Sequence, residues 1–120
     1  MDGWPQDMLN KYKDLFRPGI KYYDVTCPPG WETLIEEVLQ DFQFLNNLLP
    51  NEDKMKVMQI KEKFFTLRIY IAWSKQNNVA RLASSRIEQA ERKAQHTCMT
   101  CGADVPSSEI RMHCHDKNKT

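Results

Sequence analysis

A chain of 120 residues with 41% hydrophobic and 28% charged side chains has the size and composition of one globular domain, with room for a single core and one staple. No apolar stretch approaches the roughly 18 residues of a membrane span, so none is expected. The net charge of +1 conceals a split: residues 1 to 53 carry 4 basic and 10 acidic side chains (−6), residues 54 to 93 carry 10 and 3 (+7), and residues 94 to 120 carry 3 and 3.

The opening MDGWPQDMLNKYKDLF has early acids and no basic stretch leading into an apolar one, which argues against a secretory signal. It reads as a short acidic and aromatic lead. In DVTCPPGW, Pro28, Pro29 and Gly30 break regular structure and launch the next element. From Trp31 the apolar residues Leu34, Ile35, Val38, Leu39, Phe42 and Leu45 recur at helical spacing, with Glu32, Glu36, Glu37 and Asp41 facing away. Pro50 and Asn51 should end this helix.

Further on, Phe65, Leu67, Ile69, Ile71 and Trp73 alternate with Thr66, Arg68, Tyr70 and Ala72, which is strand spacing. The preceding KMKVMQIKEK is the expected hairpin partner, against a competing helix opened by Asn51, Glu52 and Asp53. The turn near Glu62 to Phe65 lacks the Gly or Asn that tight hairpin turns favour. In QNNVARLASSRIEQAERKAQ, Asn77 or Asn78 caps a second helix whose stripe is Val79, Leu82, Ala83, Ile87, Ala90 and Ala94. The expected fold is therefore α+β: two amphipathic helices flanking a β-hairpin, followed by a zinc-ribbon-like knuckle. Residues 1–95 form the core and 96–120 a metal-binding segment packed on it, within one domain. Trp31, Ile35 and the Phe65 to Trp73 face should pack together, with Leu82 and Ile87 closing over them.

Three of the four cysteines and all three histidines fall in HTCMTCGADVPSSEIRMHCHDK, residues 96 to 117. Without export, cysteines are expected as thiols or thiolates. Zinc takes four soft or borderline donors at the corners of a tetrahedron, and a C-x2-C step followed by Gly lets two thiolates grip one ion from a tight turn. Cys98, Cys101 and Gly102 meet that requirement. Cys114 is the expected third ligand and His115 the fourth, with His113 and His96 as alternatives that spacing does not separate. Such a closed site would be structural: Glu109 is the one glutamate of the loop, and no H-x-E precedes the cysteines as in zinc deaminases. Cys27, beside two prolines and far from any histidine, reads as a buried thiol under Trp31. No convergent nucleophile, base and oxyanion donor is visible, so no enzymatic activity is expected.

CPPGW, then QIKEKFFTLRIY, then the IEQAE helix running into CMTCG follow an order that resembles a family of small uncharacterised proteins encoded by bacteriophages and prophages, over residues 27 to 102. Those proteins show a Gly-Trp step, a QIKEKFGTLRFY-like block and a terminal C-x2-C-G knuckle. Gln59, Lys61, Glu62, Lys63, Phe64, Leu67, Arg68 and Tyr70 match the block. Phe65 stands where a glycine is usual, and the final Cys/His pair is spaced differently. The resemblance implies an accessory protein in the cytosol of a bacterial host, binding a host protein complex, with inhibition of a defence system as one such role. The alternative is a nucleic-acid binder in which Lys61, Lys63, Arg68, Arg81, Arg86 and Arg92 of the basic middle segment meet phosphate. That segment is equally able to cancel against the acidic N-terminal region, and cancellation is the expected outcome.

Overall fold

The computed structural model describes residues 3–72, 78–111 and 113–114. Its order is α1 (Gly3–Lys11), β1 (Val25–Thr26), α2 (Glu32–Asn46), β2 (Lys56–Lys63), β3 (Thr66–Ala72) and α3 (Asn78–Ala94). The fold is α+β, with the predicted hairpin at its centre.

β2 and β3 pair antiparallel, with Ile60 opposite Ile69 and Lys61 opposite Arg68, and a bulge interrupts the register between Val57 and Gln59. Period-two alternation buries Leu67 and Ile69, and the bulge brings Val57 onto the same buried face as Ile60, three residues away. Against them lie Trp31, Leu34, Ile35, Val38, Leu39 and Phe42 from the start of α2 onward, as their helical spacing requires. The competing helical reading of residues 51 onward is confined to a single 3-10 turn, Asn51–Asp53.

Two elements were not foreseen. The N-terminal lead forms α1, where Met8 and Leu9 turn inward; just beyond it Tyr12 is buried and its hydroxyl donates to Glu36 Oε2 at 2.8 Å, beside the Lys11–Glu36 ion pair. Nine residues make a helix too short to stand alone, so its periodicity is a weak signal and its order comes from docking. β1 adds a two-residue parallel strand, Val25 against Ile60. Just before it, the Val57 amide donates to the Leu15 carbonyl at 2.8 Å and the Arg17 amide to the Val57 carbonyl at 3.0 Å.

The predicted stripe of α3 holds except at Leu82, and Ala80 joins it. Ala80, Ala83, Ala90 and Ala94 are buried and Ile87 is half-buried, whereas Leu82 is exposed. Alanines let the backbone of α3 approach closely, and a leucine in that contact would hold it off. Phe65 also leaves the expected core face, because it belongs to the turn. Trp73 and the candidate cap Asn77 lie outside the described residues.

At that turn Phe64 and Phe65 both have positive φ, 52° and 66°. A two-residue type I′ hairpin needs this conformation at both central positions, and asparagine and glycine normally supply it. Glu62 compensates by accepting the Phe65 amide at 2.7 Å, and the Thr66 hydroxyl donates to the Lys63 carbonyl at 2.5 Å. Between α2 and β2, the buried Asn46 side chain makes two hydrogen bonds to one residue: Nδ2 donates to the Met55 carbonyl and Oδ1 accepts the Met55 amide, each at 3.0 Å.

Candidate metal centre

The last turn of α3 hands the chain directly into the knuckle. The His96 and Thr97 amides cap the helix by donating to the carbonyls of Lys93 and Ala94. Thr97 then bridges to Asp104, while the Cys98 amide donates to the Ala103 carbonyl at 2.8 Å and the Gly102 amide to the Cys98 carbonyl at 2.9 Å. Gly102 has φ of 82°, the left-handed conformation that closes the C-x2-C-G turn. Val105 and Ile110 are buried with Cys98 beneath this turn, and the Met99 amide reaches across to the Ile110 carbonyl at 2.8 Å.

Four donor atoms converge there. Cys98, Cys101, His113 and Cys114 have ligand atoms that all lie within 4.8 Å of one another. Cys98 Sγ is 3.6 Å from Cys114 Sγ, and His113 Nδ1 is 3.5 Å from Cys101 Sγ and 3.7 Å from Cys114 Sγ. With metal–sulfur bonds of about 2.3 Å and metal–nitrogen bonds of about 2.0 to 2.1 Å, a zinc tetrahedron has S···S edges of about 3.8 Å and S···N edges of about 3.6 Å. The three individual spacings of 3.5 to 3.7 Å are close to those edges, and the four residues could hold a metal ion.

The expected thiolates Cys98, Cys101 and Cys114 are thus together. Among the described residues the fourth donor is His113, adjacent in sequence to Cys114, with both residues in helical conformation. His115 lies outside the described residues, and His96 is exposed at the end of α3 and outside the cluster.

Electrostatics favour a charged sulfur at the buried corner. Burial works to raise the Cys98 thiol, but the backbone amides of Cys101 and Thr100 and the side chains of Cys114 and His113 outweigh it and bring it down to about 6. The Thr100 amide sits 3.4 Å from that sulfur. Cys114 is pushed up to about 11, first by its hydrogen bond with Cys101 and then by burial. One thiolate holding neighbouring protons is the arrangement a divalent cation would replace, since metal binding to thiols releases protons. Cys27 behaves differently: burial, with the nearby Glu62 charge, pushes its thiol up to about 12. It is half-buried at the margin of the main core, not fully buried as expected, and keeps its proton.

The knuckle is fastened to the core by CPPGW, a role beyond launching a helix. The Gly30 amide donates to the Met99 carbonyl at 2.8 Å, and the Trp31 indole Nε1 donates to the Thr97 carbonyl at 3.1 Å from a fully buried ring. A Cβ on Gly30 would lie 2.0 Å from the Cys98 carbonyl oxygen, and one on Gly102 would lie 2.8 Å from the Gly30 oxygen. The two glycines permit two backbones to touch. Met99 packs against both the main core and the small cluster under the knuckle.

The basic residues separate into two groups. Arg86 pairs with Asp41 of the acidic N-terminal region at 2.6 Å, whereas Arg92 pairs with Glu88 of its own helix at 3.5 Å. Arg81 is exposed on α3. Lys61, Lys63 and Arg68 share the outer face of the hairpin and have no carboxylate partner among the described residues.

Neither a protein-family model, nor a curated protein, nor a solved structure matches this chain. The class that fold and site define is an α+β domain with a C-terminal Cys3His cluster able to hold a metal ion. No helix among the described residues is long and apolar enough to cross a membrane.

Proposed function

We propose that the chain is a non-enzymatic binding module whose C-terminal segment is stapled by a structural zinc ion held by Cys98, Cys101, His113 and Cys114. The observation that carries this reading is the donor set: three sulfurs and one imidazole nitrogen within 4.8 Å of one another, with three of their spacings at 3.5 to 3.7 Å. A catalytic zinc keeps one position for water or substrate, whereas four protein ligands fill a structural one. The small cluster of Cys98, Val105 and Ile110 buries little apolar surface, so metal binding would supply folding energy that this segment lacks. Metal analysis of protein purified without chelator tests the reading, with about one zinc per chain expected. A metal-free protein with an unchanged melting temperature would overturn it.

The partner suggested by the resemblance to phage and prophage proteins is a protein complex of a bacterial host, with defence systems among the targets and the host cytosol as the setting. A second reading, nucleic acid, is favoured by a specific observation: Lys61, Lys63 and Arg68 gather on one face of the hairpin with no carboxylate partner among the described residues. Capture from a bacterial lysate with and without nuclease separates the two. A protein partner that survives nuclease supports the first, and nucleic acid recovered in its place supports the second.

A further inference from the structure

We propose that the outer face of the β2–β3 hairpin binds single-stranded nucleic acid, with Lys61, Lys63 and Arg68 taking phosphates and Tyr70 and Phe64 stacking on bases; this rests on the reading of the chain as a binding module.

Lys61 and Arg68 lie directly opposite each other across the strand pair. Like charges in that relationship are destabilising, so a folded hairpin carries a penalty there unless an anion relieves it. Lys63 continues the same face two residues along. Four cations elsewhere are paired, Lys11 with Glu36, Arg17 with Asp24, Arg86 with Asp41 and Arg92 with Glu88, whereas these three have no carboxylate partner among the described residues. On the hairpin the cations meet rings and a hydroxyl. Lys61 Nζ stands 5.8 Å from the Tyr70 ring centroid, Lys63 Nζ stands 5.8 Å from that of Phe64, and Arg68 Nε donates to Thr66 Oγ1 at 3.2 Å.

The rings are the second half of the argument. Phe64 is 80% exposed at the tip and Tyr70 is 44% exposed on the face. The backbone holds Phe64 out at positive φ, a conformation that costs free energy for a bulky residue and that burial does not offset. Single-strand binders combine cations that follow the phosphates with aromatic faces on which successive bases stack. Sheet-surface aromatics do this in single-stranded RNA readers. A duplex would use the cations but leave the rings idle, because its bases are already stacked. Protein interfaces, in turn, are depleted in lysine relative to the rest of the surface. Two lysines and an arginine without an acid among them match a phosphate chain better.

The test is fluorescence anisotropy with a labelled oligothymidylate of about 12 nucleotides, beside an abasic strand of equal length, a duplex of equal length and polyglutamate. Oligothymidylate should bind tightest. Three phosphate contacts predict an affinity that falls about 20-fold between roughly 50 and 200 mM salt. Phe64→Ala and Tyr70→Ala should each weaken binding by about 5- to 150-fold, and Lys61→Ala with Arg68→Ala should flatten the salt dependence. Zinc content and thermal unfolding are measured on the same samples. A zinc-free protein would overturn the structural-metal reading, whereas a normally folded, zinc-loaded protein that ignores oligothymidylate would overturn this one. Equal binding of polyglutamate, of the duplex or of the abasic strand, or no effect of removing both rings, would also overturn it.

Discussion

Gly30 and Met99, 69 positions apart in sequence, are joined backbone to backbone at 2.8 Å, and this contact seats the metal-binding segment on the start of α2. Gly30→Ala would place a Cβ 2.0 Å from the Cys98 carbonyl, against backbone that cannot swing aside. The expected result is a lower melting temperature together with weaker metal retention. Trp31→Phe is the milder companion: it keeps most of the buried ring but orphans the Thr97 carbonyl, costing about 1 to 3 kcal/mol. A Gly30→Ala protein that melts and holds metal like the parent would show that the knuckle is not seated there.

Thiol labelling should sort the cysteines by environment. In the metal-loaded protein little alkylation is expected, and after chelation Cys98, Cys101 and Cys114 should react. Cys27 should stay silent until the protein unfolds, because burial holds its thiol at about 12 against an ordinary 9.0. With the folded value raised, its contribution to stability is complete below pH 9.0 and is lost as pH rises towards about 12. Mass spectrometry of the labelled peptides reads the order directly, and early labelling of Cys27 would contradict its place in the core.

The hairpin turn should accept a stabilising exchange. Phe64→Asn with Phe65→Gly puts residues suited to positive φ where two phenylalanines now stand at 52° and 66°. Relief of strain, less the loss of the Arg111 guanidinium contact 4.0 Å from the Phe65 ring centroid, should leave a net gain of about 1 to 3 kcal/mol. The same protein should bind oligothymidylate less well, having lost the tip ring. Chemical denaturation checks the first outcome, and a destabilised variant would mean that the two rings hold the turn together.

Ile35, 1% exposed in the core, carries the corresponding prediction for α2: Ile35→Ala should cost about 2 to 5 kcal/mol in a denaturation midpoint experiment. An unchanged midpoint would mean the wrong helix face had been assigned.

Strong periodicity made α2, the hairpin and α3 legible in the sequence, since seven apolar residues from Trp31 to Leu45 and the alternation from Leu67 onward admit few other readings. What stayed hidden depends on contacts between distant segments. α1 owes its order to docking, and β1 is too short to show alternation. Helical spacing alone puts Leu82 on the inward stripe beside Ala83, although close helix approach rewards the smaller residue. Cysteine spacing pointed to Cys98, Cys101 and Cys114, but choosing among histidines needs three-dimensional geometry, and His113 joins the cluster through its local conformation. Gly30 was read as a helix breaker. The overlooked signal was a glycine followed at once by a buried tryptophan, a combination that suits a backbone approached closely by another.

Asn46→Ala should cost about 1 to 3 kcal/mol, because it strands both the amide and the carbonyl of Met55 inside the protein. Urea unfolding measures this, and a shift within error would mean that water replaces the amide. The pair of hydrogen bonds also frees the segment between these residues from a structural duty. With its two ends locked by one side chain, the exposed stretch around Leu48 and Pro50 no longer has to hold α2 and β2 in register. Doubling the length of such a loop costs only about 0.6 kcal/mol. A label, a purification tag or a whole foreign peptide could therefore be spliced in there while the domain around it keeps its shape.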